Sequence, residues 1–253
     1  MKKRRDPRFV SRRADPSLPI QQRTMRDRLV ACAAGAAAVA VVLYARHKQR
    51  SALEPDGRPT ILITGTTGWL GALLAKRLVA AKDVRVLGLA RRASGITGVV
   101  DVAADLDTGQ GLDVLTRVGK IDACIHLGGV AGWCSLDQGL QTNVQGTQRL
   151  FAALSSVCTK FVVASSIAMV GTGLPRHPPH KLPMPDDHPY AGYPWPYALS
   201  KALVEEVCRF LVAQDMRSAT PALDVILLRI GCCITDPPGP PRHLETALGE
   251  AFR

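Results

Sequence analysis

The stretch "TILITGTTGWLG", Thr60 to Gly71, decides the fold of this 253-residue chain. Its first five residues form an apolar run typical of a buried β-strand, and glycines follow at positions 65, 68 and 71. The first glycine permits a tight turn, the second lets a pyrophosphate approach the backbone, and the third lets a helix pack closely against the strand. Because free N–H groups at a helix start attract phosphate, we expect this turn to bind a dinucleotide.

Short apolar strands alternate with amphipathic helices from Thr60 onward. We predict strands at residues 60–64, 84–90, 99–104, 122–128, 160–166 and 223–230. The predicted helices are "WLGALLAKRLVA", a short one near 111–118, "SLDQGLQTNVQGTQRLFAALSS" and the stretch that begins at Tyr197. Nearly continuous apolar strands separated by helices indicate an α/β fold, a doubly wound parallel sheet (Rossmann fold) covered on both faces. Such sheets bind ligands at the carboxyl ends of their strands.

The choice of dinucleotide depends on the end of the second strand. Gly88 stands where an acidic residue would hold the ribose hydroxyls, and Arg91 and Arg92 follow. Guanidinium groups suit a 2′-phosphate, so the sequence favours NADP, with NAD as the alternative. The arginines could instead be solvated surface charges. Asp105, after the third strand, is placed to meet the adenine.

The basic character of the chain is concentrated at its N-terminus. Of the formal net charge of +11, residues 1–58 carry +9, with 14 basic and 5 acidic residues, which leaves +2 for the remainder. Since the remainder lacks a basic stripe interleaved with aromatics, we expect no nucleic-acid partner. Seven cysteines, scattered and without a CxxC pair, indicate buried thiols in a reducing compartment, and we predict no metal site.

We divide the chain into four predicted segments. Residues 1–28 are basic and Pro-punctuated, as in a disordered arm. Residues 29–45 form an uncharged run that as a helix spans about 25 Å, marginal for a hydrocarbon core of about 30 Å. A single-pass membrane anchor is the first reading, and an organelle-targeting presequence or a soluble helix are the alternatives. Residues 46–58 resemble a linker, and residues 59–253 the NAD(P)-binding domain with an abbreviated substrate region.

Six motifs together resemble a known family. "TGTTGWLG", "CIHLGGVAG", "TNVQGTQRLFAAL", "VVASSIAMVG", "YALSK" and "VILLRIG" occur in the order and spacing of the extended short-chain dehydrogenase/reductases, which include the NAD(P)-dependent epimerases and dehydratases. The resemblance covers roughly residues 60–240. It implies a catalytic set of Ser166, Tyr197 and Lys201, supported by Asn143.

The chemistry of hydride transfer explains these residue types. Removing hydride from a carbinol carbon requires a proton to leave its oxygen. A phenol, whose pKa is near 10, is mostly protonated at neutral pH and therefore accepts that proton poorly. We expect the Lys201 ammonium to lower the pKa of Tyr197 and to hold the nicotinamide ribose, while Ser166 orients the reacting oxygen. The full set of predicted cofactor contacts is Gly65, Thr67, Gly68, Trp69, Leu70, Gly71, Arg91, Asp105, Leu106, Leu127, Gly128, Gly129, Tyr197 and Lys201.

The residues around the catalytic Ser restrict the reaction. Family members that dehydrate sugars carry an Asp–Glu pair, or at least a Glu, immediately after the catalytic hydroxyl residue. Ile167 and Ala168 follow Ser166 here, so the resemblance implies neither dehydration nor decarboxylation of that type. The 30-residue stretch before Tyr197 is rich in proline and should lie over the surface at the cleft, with His177, His180 and His188 as solvated loop residues. Pro194 and Pro196 should place the start of the last helix at Tyr197.

The C-terminal part is short for a nucleotide-sugar enzyme. About 23 residues follow "LLRI", whereas those members carry a substrate lobe of roughly a hundred residues, so the lobe is short or missing. The short uronate dehydrogenases are similar in "HLGGV" and "LRIGCCITDPPGPPRHL". That resemblance implies substrate contacts at Ala131, at the residue after Ser166 and at Arg242. Uronate dehydrogenases have small polar residues at the first two positions, whereas this chain has Ala131 and Ile167. They also use NAD, whereas Gly88 and Arg91 favour NADP.

The sequence therefore predicts a membrane-anchored NAD(P)-dependent oxidoreductase acting on a secondary alcohol or carbonyl of a small molecule, with a sugar or sugar acid as a candidate substrate. Two alternatives stay open: a nucleotide-sugar epimerase with an incomplete C-terminal lobe, and a non-catalytic NADP-binding scaffold or sensor. Pairing with a second copy as a homodimer is also left open.

Overall fold

A parallel sheet forms the centre of the described structure. The computed structural model describes residues 53–171, 178–181 and 183–231. Within these ranges the sheet has six strands in the order β3-β2-β1-β4-β5-β6, all paired in parallel. The strands are β1 (Thr60–Thr64), β2 (Arg85–Ala90), β3 (Val99–Ala103), β4 (Ala123–His126), β5 (Lys160–Ser166) and β6 (Asp224–Ile230). The predicted doubly wound arrangement is confirmed, with strand ends differing by one or two residues.

Three helical regions cover this sheet. Helix α1 is Trp69–Ala81 and helix α3 is Pro196–Asp215. Helix α2 is composite, with an α-helical turn at Leu136–Gln138, a π-helical segment at Gly139–Gln145 and an α-helical part at Gly146–Leu154. Short 3₁₀ segments occur at Leu112–Arg117 and Ile167–Val170.

The alternation of side chains along the strands divides the core between two layers. In β1, Leu62 packs into the larger cluster with Leu150 and Phe161, whereas Ile63 packs on the opposite face with Ala75 of α1. Residues of opposite parity on one strand point to opposite faces, so both faces of β1 are buried. This is the burial that a central parallel strand requires.

One face of the edge strand β6 is only partly covered by other residues. On β6, Ile226 and Leu228 are 52% and 45% exposed, while Val225 and Leu227 pack against the core. The exposed pair lies beside Val162 and Ala164 of β5, on the face opposite to α3. The predicted short or missing lobe falls on residues 232–253, outside the described residues.

The predicted hydrophobic segment at 29–45 also lies outside the described residues. Among the residues that the structure describes, no helix combines the length and the apolar character needed to cross a bilayer. The membrane anchor, the presequence alternative and the arm and linker boundaries stay predictions.

The start of α3 corrects the sequence prediction by one residue. The helix begins at Pro196 rather than at Tyr197, with Trp195 as its N-cap. Proline is suited to the first helical position, because the N–H that it lacks has no intrahelical acceptor there. Tyr197 is therefore the second residue of the helix, and Lys201 lies about one turn further on.

Candidate active site

A cleft of about 250 Å³ opens at the carboxyl ends of the central strands. It lies where the strand order reverses between β1 and β4, which is the usual ligand position in such sheets. Nine predicted cofactor residues line it: Gly65, Thr67, Gly68, Arg91, Asp105, Leu106, Leu127, Gly128 and Gly129. Thr142, Val130 and Asp107 line it as well and were not predicted.

The glycines of the turn leave no room for side chains. Gly65 has φ +76°, and a Cβ there would lie 2.9 Å from the Cα of Gly128. A Cβ on Gly71 would lie 2.3 Å from the carbonyl oxygen of Gly65. Gly71 thus serves the close packing of α1 against the turn and does not line the cleft, and Trp69, 49% exposed, does not line it either.

We expect Gly71→Ala to lower the free energy of unfolding by about 1–3 kcal/mol, since the new methyl group meets backbone that cannot move aside easily. The displaced turn should also weaken dinucleotide binding. Chemical denaturation and cofactor titration measure both effects. Leu73→Ala is the control, because Leu73 lies on the same helix and is 47% exposed. Equal stability of the two variants would contradict this packing argument.

The structure corrects the assignment made for Gly88. Gly88 lies inside β2, paired with Ile63 and Asp101, and a Cβ there would lie 2.7 Å from Val99 Cγ1. The strand-end position in the cleft belongs to Ala90, followed by Arg91. The second strand therefore ends without an acidic residue, as predicted, but the strand-end position is Ala90 and not Gly88.

Two aspartates line the far end of the cleft. The Asp105 carboxylate accepts a hydrogen bond from the backbone N–H of Asp107 at 2.9 Å. Asp107 Oδ1 is buried and has no protein hydrogen-bond partner. Since a buried acceptor without a partner is costly, a donor on a bound ligand would satisfy it.

A second cavity, of about 200 Å³, adjoins the first. Leu127, Gly129 and Val130 line both, so the two are continuous. The second cavity brings together five further predicted residues: Leu70, Ala131, Ser166, Tyr197 and Lys201. Ser165, Ala164, Ile230 and Gly231 complete the lining with Leu127, Gly129 and Val130.

Ser166 ends β5 and caps the following 3₁₀ segment. Its Oγ accepts a hydrogen bond from the N–H of Ala168 at 3.1 Å. Because that bond uses a lone pair of Oγ, the hydroxyl hydrogen stays available to donate into the cavity.

Lys201 is buried and faces both Tyr197 and β5. Its Nζ lies 5.9 Å from the centroid of the Tyr197 ring and donates a hydrogen bond of 2.7 Å to the carbonyl oxygen of Ala164. Burial lowers the pKa of Lys201 to about 8. Burial also raises the pKa of Tyr197, and an interaction with the Ser166 hydroxyl only partly offsets the rise. The predicted lowering of the Tyr197 pKa is therefore wrong for this structure, because desolvation of the phenol outweighs the hydrogen bond with Ser166.

Asn143 lies in the π-helical segment of α2 and fixes the loop after β4. Its Oδ1 accepts from the N–H of Val130 at 2.9 Å, and its Nδ2 donates to the carbonyl of Val130 and to Ser200 Oγ at 3.1 and 2.8 Å. A Cβ on Gly129 would lie 2.6 Å from Asn143 Oδ1. Asn143 thus holds the backbone between the two cavities through its side chain.

His126, which sequence reasoning missed, links the glycine turn to α2. The hydroxyl of Thr147 donates to the carbonyl of Asn143 at 2.5 Å, so His126 Nε2, at 3.0 Å from Thr147 Oγ1, is the donor to that hydroxyl. His126 Nδ1 then accepts from Thr64 Oγ1 at 2.7 Å. Burial, with the charge of Lys201, lowers the His126 pKa to about 3, which keeps the imidazole neutral. A histidine inside the apolar run "ACIHLG" was the available signal.

Glu205, one turn beyond Lys201, is a second residue that was not predicted. Its carboxylate is 1% exposed and accepts bonds from Arg229 Nε and Nη2, both at 2.9 Å, and from Ser165 Oγ at 2.6 Å. Arg209 adds a bond of 2.8 Å from a more exposed position. This network ties α3 to β5 and β6 directly behind the cavity.

The proline-rich stretch is described only in part. His188 is 2% exposed, accepts from the N–H of His180 at 2.8 Å and donates to the carbonyl of Pro189, so the prediction that it is a solvated residue is wrong. His177 and Arg242 lie outside the described residues. The four cysteines in the described ranges are free thiols, and those ranges contain no cluster with the makeup of a metal site.

Relatives of known activity resemble this chain over about two thirds of its length. It is 28% identical over 199 residues to UDP-glucose 4-epimerase 2 of Oryza sativa subsp. japonica, which covers 69% of this chain and 45% of that protein. It is 26% identical over 183 residues to the uronate dehydrogenase of Pseudomonas putida, which covers 70% of this chain and 62% of that protein. The chain thus spans about half to three fifths of the length of these relatives.

A solved structure shows the same architecture. A short-chain dehydrogenase/reductase superfamily protein from Agrobacterium tumefaciens with bound NAD is 32% identical and superposes with a TM-score of 0.55, which covers 67% of this chain and 48% of that one. The model of the NAD dependent epimerase/dehydratase family matches residues 61–230, which include the glycine turn, both cavities and β6. The chain therefore belongs to the NAD dependent epimerase/dehydratase family, as the resemblance to extended short-chain dehydrogenase/reductases implied.

Proposed function

We propose that this protein is an NAD(P)-dependent oxidoreductase that transfers a hydride to or from the carbon of a secondary alcohol or carbonyl. One observation carries the proposal: Ser166, Tyr197 and Lys201 line a cavity that is continuous with the glycine-turn cleft. A reacting carbon in the smaller cavity would therefore lie beside the end of a dinucleotide held in the larger one.

The cofactor fits the residues that are present. Gly65 and Gly68 line the cleft with bare backbone at the start of α1, and Asp107 Oδ1, at the far end, has no hydrogen-bond partner among the described residues. Gly65, Gly68 and Arg91 would hold the phosphates, Asp105 and Leu106 the adenine side, and Lys201 the ribose next to the nicotinamide. The bound nicotinamide would supply or accept the hydride.

Proton transfer falls to the side chains of the chain itself. When the alcohol loses hydride from its carbon, its hydroxyl proton passes to the deprotonated oxygen of Tyr197, and the C–O bond becomes a carbonyl. Since burial raises the pKa of Tyr197, this deprotonated form is the minor one at neutral pH, and its formation adds to the barrier. In reduction the phenol returns that proton to the oxygen. Ser166 donates a hydrogen bond to the same oxygen, which stabilises the negative charge that develops there.

We infer a preference for NADP from the end of β2. Ala90 offers no carboxylate to the ribose hydroxyls, and Arg91 lines the cleft beside it. A guanidinium can bind a phosphate through two parallel hydrogen bonds.

Replacing Arg91 with Ala should therefore weaken NADP binding by roughly tenfold and leave NAD binding nearly unchanged, because a charge-assisted hydrogen bond contributes about 1.5–3 kcal/mol and part of it is lost to solvent screening. Isothermal titration of each cofactor measures the ratio. Arg92→Ala is the matched control, since Arg92 does not line the cleft. An unchanged NADP-to-NAD ratio in the Arg91 variant would refute the inference.

Sugars and sugar acids are the substrate class that we propose. The names of the relatives given above specify a nucleotide sugar and a uronate, and Lys201 is the one cation among the described residues that line the smaller cavity. Ile167 and Ala168 after Ser166 provide no second acid or base, which argues against dehydration.

The alternative is nucleotide-sugar epimerisation, favoured by the similarity to the rice enzyme. The two reactions are separated by one assay with full-length protein, both cofactors, UDP-glucose, UDP-glucuronate and glucuronate. A dehydrogenase accumulates reduced cofactor with the substrate, whereas an epimerase converts the sugar with no net change in cofactor. Binding of cofactor without conversion of any sugar would favour the third reading, a scaffold or sensor.

A further inference from the structure

Four aromatic rings form a connected cluster, centred on Trp195, that extends from the smaller cavity to solvent. The Trp195 ring lies 5.3 Å from the Tyr197 ring and 5.8 Å from the rings of both Tyr193 and Trp133, measured between centroids. These distances lie in the range of favourable edge-to-face and offset pairs. We call Trp133, Tyr193 and Trp195 the aromatic wall.

The wall is held in place by its own hydrogen bonds. Trp195 Nε1 donates to the carbonyl oxygen of Gly132 at 3.1 Å, which joins the N-cap of α3 to the loop after β4. The hydroxyl of Tyr190 donates to the carbonyl of Tyr193. Ala131, which lines the smaller cavity, lies two residues before Trp133 on the same loop. The wall therefore begins at the mouth of the cavity.

The outermost ring is left almost entirely uncovered. Trp133 is 92% exposed, the largest exposure among the large hydrophobic side chains of the described residues. Exposing an indole to water is unfavourable, at roughly 25 cal/mol per Å² of apolar surface. Its neighbour Trp195 meets it at 45° between ring planes, which leaves the Trp133 ring open on the solvent side.

The smaller cavity is too small to enclose a whole sugar nucleotide. Its volume of about 200 Å³ lies below the roughly 300–1,000 Å³ of sites that enclose drug-sized ligands. The reacting carbon and its substituents fit inside, and the rest of the substrate must lie outside, against the mouth. There the aromatic wall is the adjacent surface.

We propose that the aromatic wall binds the substrate by stacking against a ring of the substrate, with Trp133 as the residue that determines specificity for ring compounds. The inference rests on the proposed function and adds the ring as the feature that is recognised. The electron-rich face of an indole attracts the positive edge of C–H groups. A pyranose presents such C–H groups on one face of its chair, and a nucleobase presents a flat π face that can also stack on the indole, so the test includes both.

The test compares ligand binding to cofactor-saturated, full-length protein. The ligands are glucuronate, uridine, UDP-glucuronate and the open-chain polyol glucitol, and the proteins are wild type, Trp133→Ala, Trp133→Phe and Phe210→Ala. Phe210 is the matched control, since it is 65% exposed and lies about 20 Å along α3 from Tyr197.

We expect Trp133→Ala to raise the dissociation constant of the ring ligand by roughly tenfold, Trp133→Phe to retain most of the affinity, and Phe210→Ala to match wild type. Cofactor affinity should be equal in all four proteins, and glucitol should not discriminate between them. Binding of glucuronate but not uridine would identify the sugar ring as the stacked group, and the reverse result the base.

Failure of this inference can be told apart from failure of the proposed function. Wild-type affinity in Trp133→Ala, or no binding of any ring ligand to the wild type, overturns the aromatic wall as a binding surface. If the wild type binds a ring ligand in a Trp133-dependent manner and transfers no hydride, the wall stands and the oxidoreductase proposal fails. If hydride transfer occurs with an unchanged KM in Trp133→Ala, the function stands and the wall fails.

Discussion

Tyr197→Phe is expected to lower turnover by about 10²–10⁴-fold, the range that a positioned general acid or base contributes. The variant removes one oxygen from a ring that is held by Trp195 and faces Lys201. Among the described residues that line the smaller cavity, Tyr197 is the only phenol. Lys201, the other titratable group there, donates its hydrogen bond to the carbonyl of Ala164, so we expect it to replace the phenol poorly in proton transfer. The ring packing survives, so the fold should be unchanged.

Single-turnover kinetics with the reduced cofactor would measure the loss, and titration of the cofactor provides the internal control. We expect the cofactor dissociation constant to stay within about twofold of wild type, because the phosphates and adenine are held at the glycine turn and not at Tyr197. Ser166→Ala should slow turnover by a smaller factor, since the phenol remains. Wild-type turnover in Tyr197→Phe would refute the assignment of Tyr197.

The parts of the site that depend on local pattern could be predicted from the sequence. The glycine spacing after β1 predicts both the turn and the position of the cleft, because a Cβ on Gly68 or Gly71 would crowd the carbonyl oxygen of Gly65 within the turn itself. The packing of Gly65 against Gly128 is a distant contact that this local pattern does not show. The spacing of Tyr197 and Lys201 places both on one face of α3 for the same local reason. Asn143 came from the family resemblance, although its role through side-chain bonds to Val130 did not.

Features that depend on contacts between distant residues could not be predicted. Whether the acid position of β2 is residue 88 or residue 90 depends on where the strand ends against its neighbours, which the apolar run does not reveal. The burial of His188 depends on its contact with His180, and the pKa of Tyr197 on how far the phenol is desolvated. His126 and Glu205 find partners 21 to 62 residues away along the chain.

The second large effect is a loss of stability on replacing the buried carboxylate of Glu205. Glu205→Gln should lower the free energy of unfolding by about 3–5 kcal/mol, the usual consequence of removing one partner from a buried ion pair. The amide keeps the size of the carboxylate but removes the charge to which the guanidinium of Arg229, 15% exposed, is hydrogen-bonded, and Asp186 and Asp187 supply only smaller attractions. It also replaces an acceptor oxygen of the network by an NH₂ group that faces other donors.

Two further variants make this prediction specific. Arg209→Ala removes the partner that is 46% exposed and should cost less than about 1 kcal/mol, since solvent screens that pair. The double variant Glu205→Leu with Arg229→Met replaces the inner pair by apolar groups of similar volume and should recover much of the lost stability. Urea unfolding of the four proteins gives the comparison. A Glu205→Gln variant no less stable than Arg209→Ala would disprove the argument.

The pH dependence of stability tests the same charge independently. Burial raises the pKa of Glu205, but the hydrogen bonds from Arg229 and Ser165 outweigh it and hold the pKa below its ordinary value of 4.5. The unfolded chain then binds the proton more readily than the folded one, so this stabilisation is present above about pH 4.5 and is lost as the pH falls through the folded-state pKa. The wild type should therefore lose stability in acid more steeply than Glu205→Gln, which has no proton to gain at this position.

Because Ser165 precedes Ser166 and Arg229 precedes Ile230 of the cavity wall, the same acid transition should lower turnover before the protein unfolds.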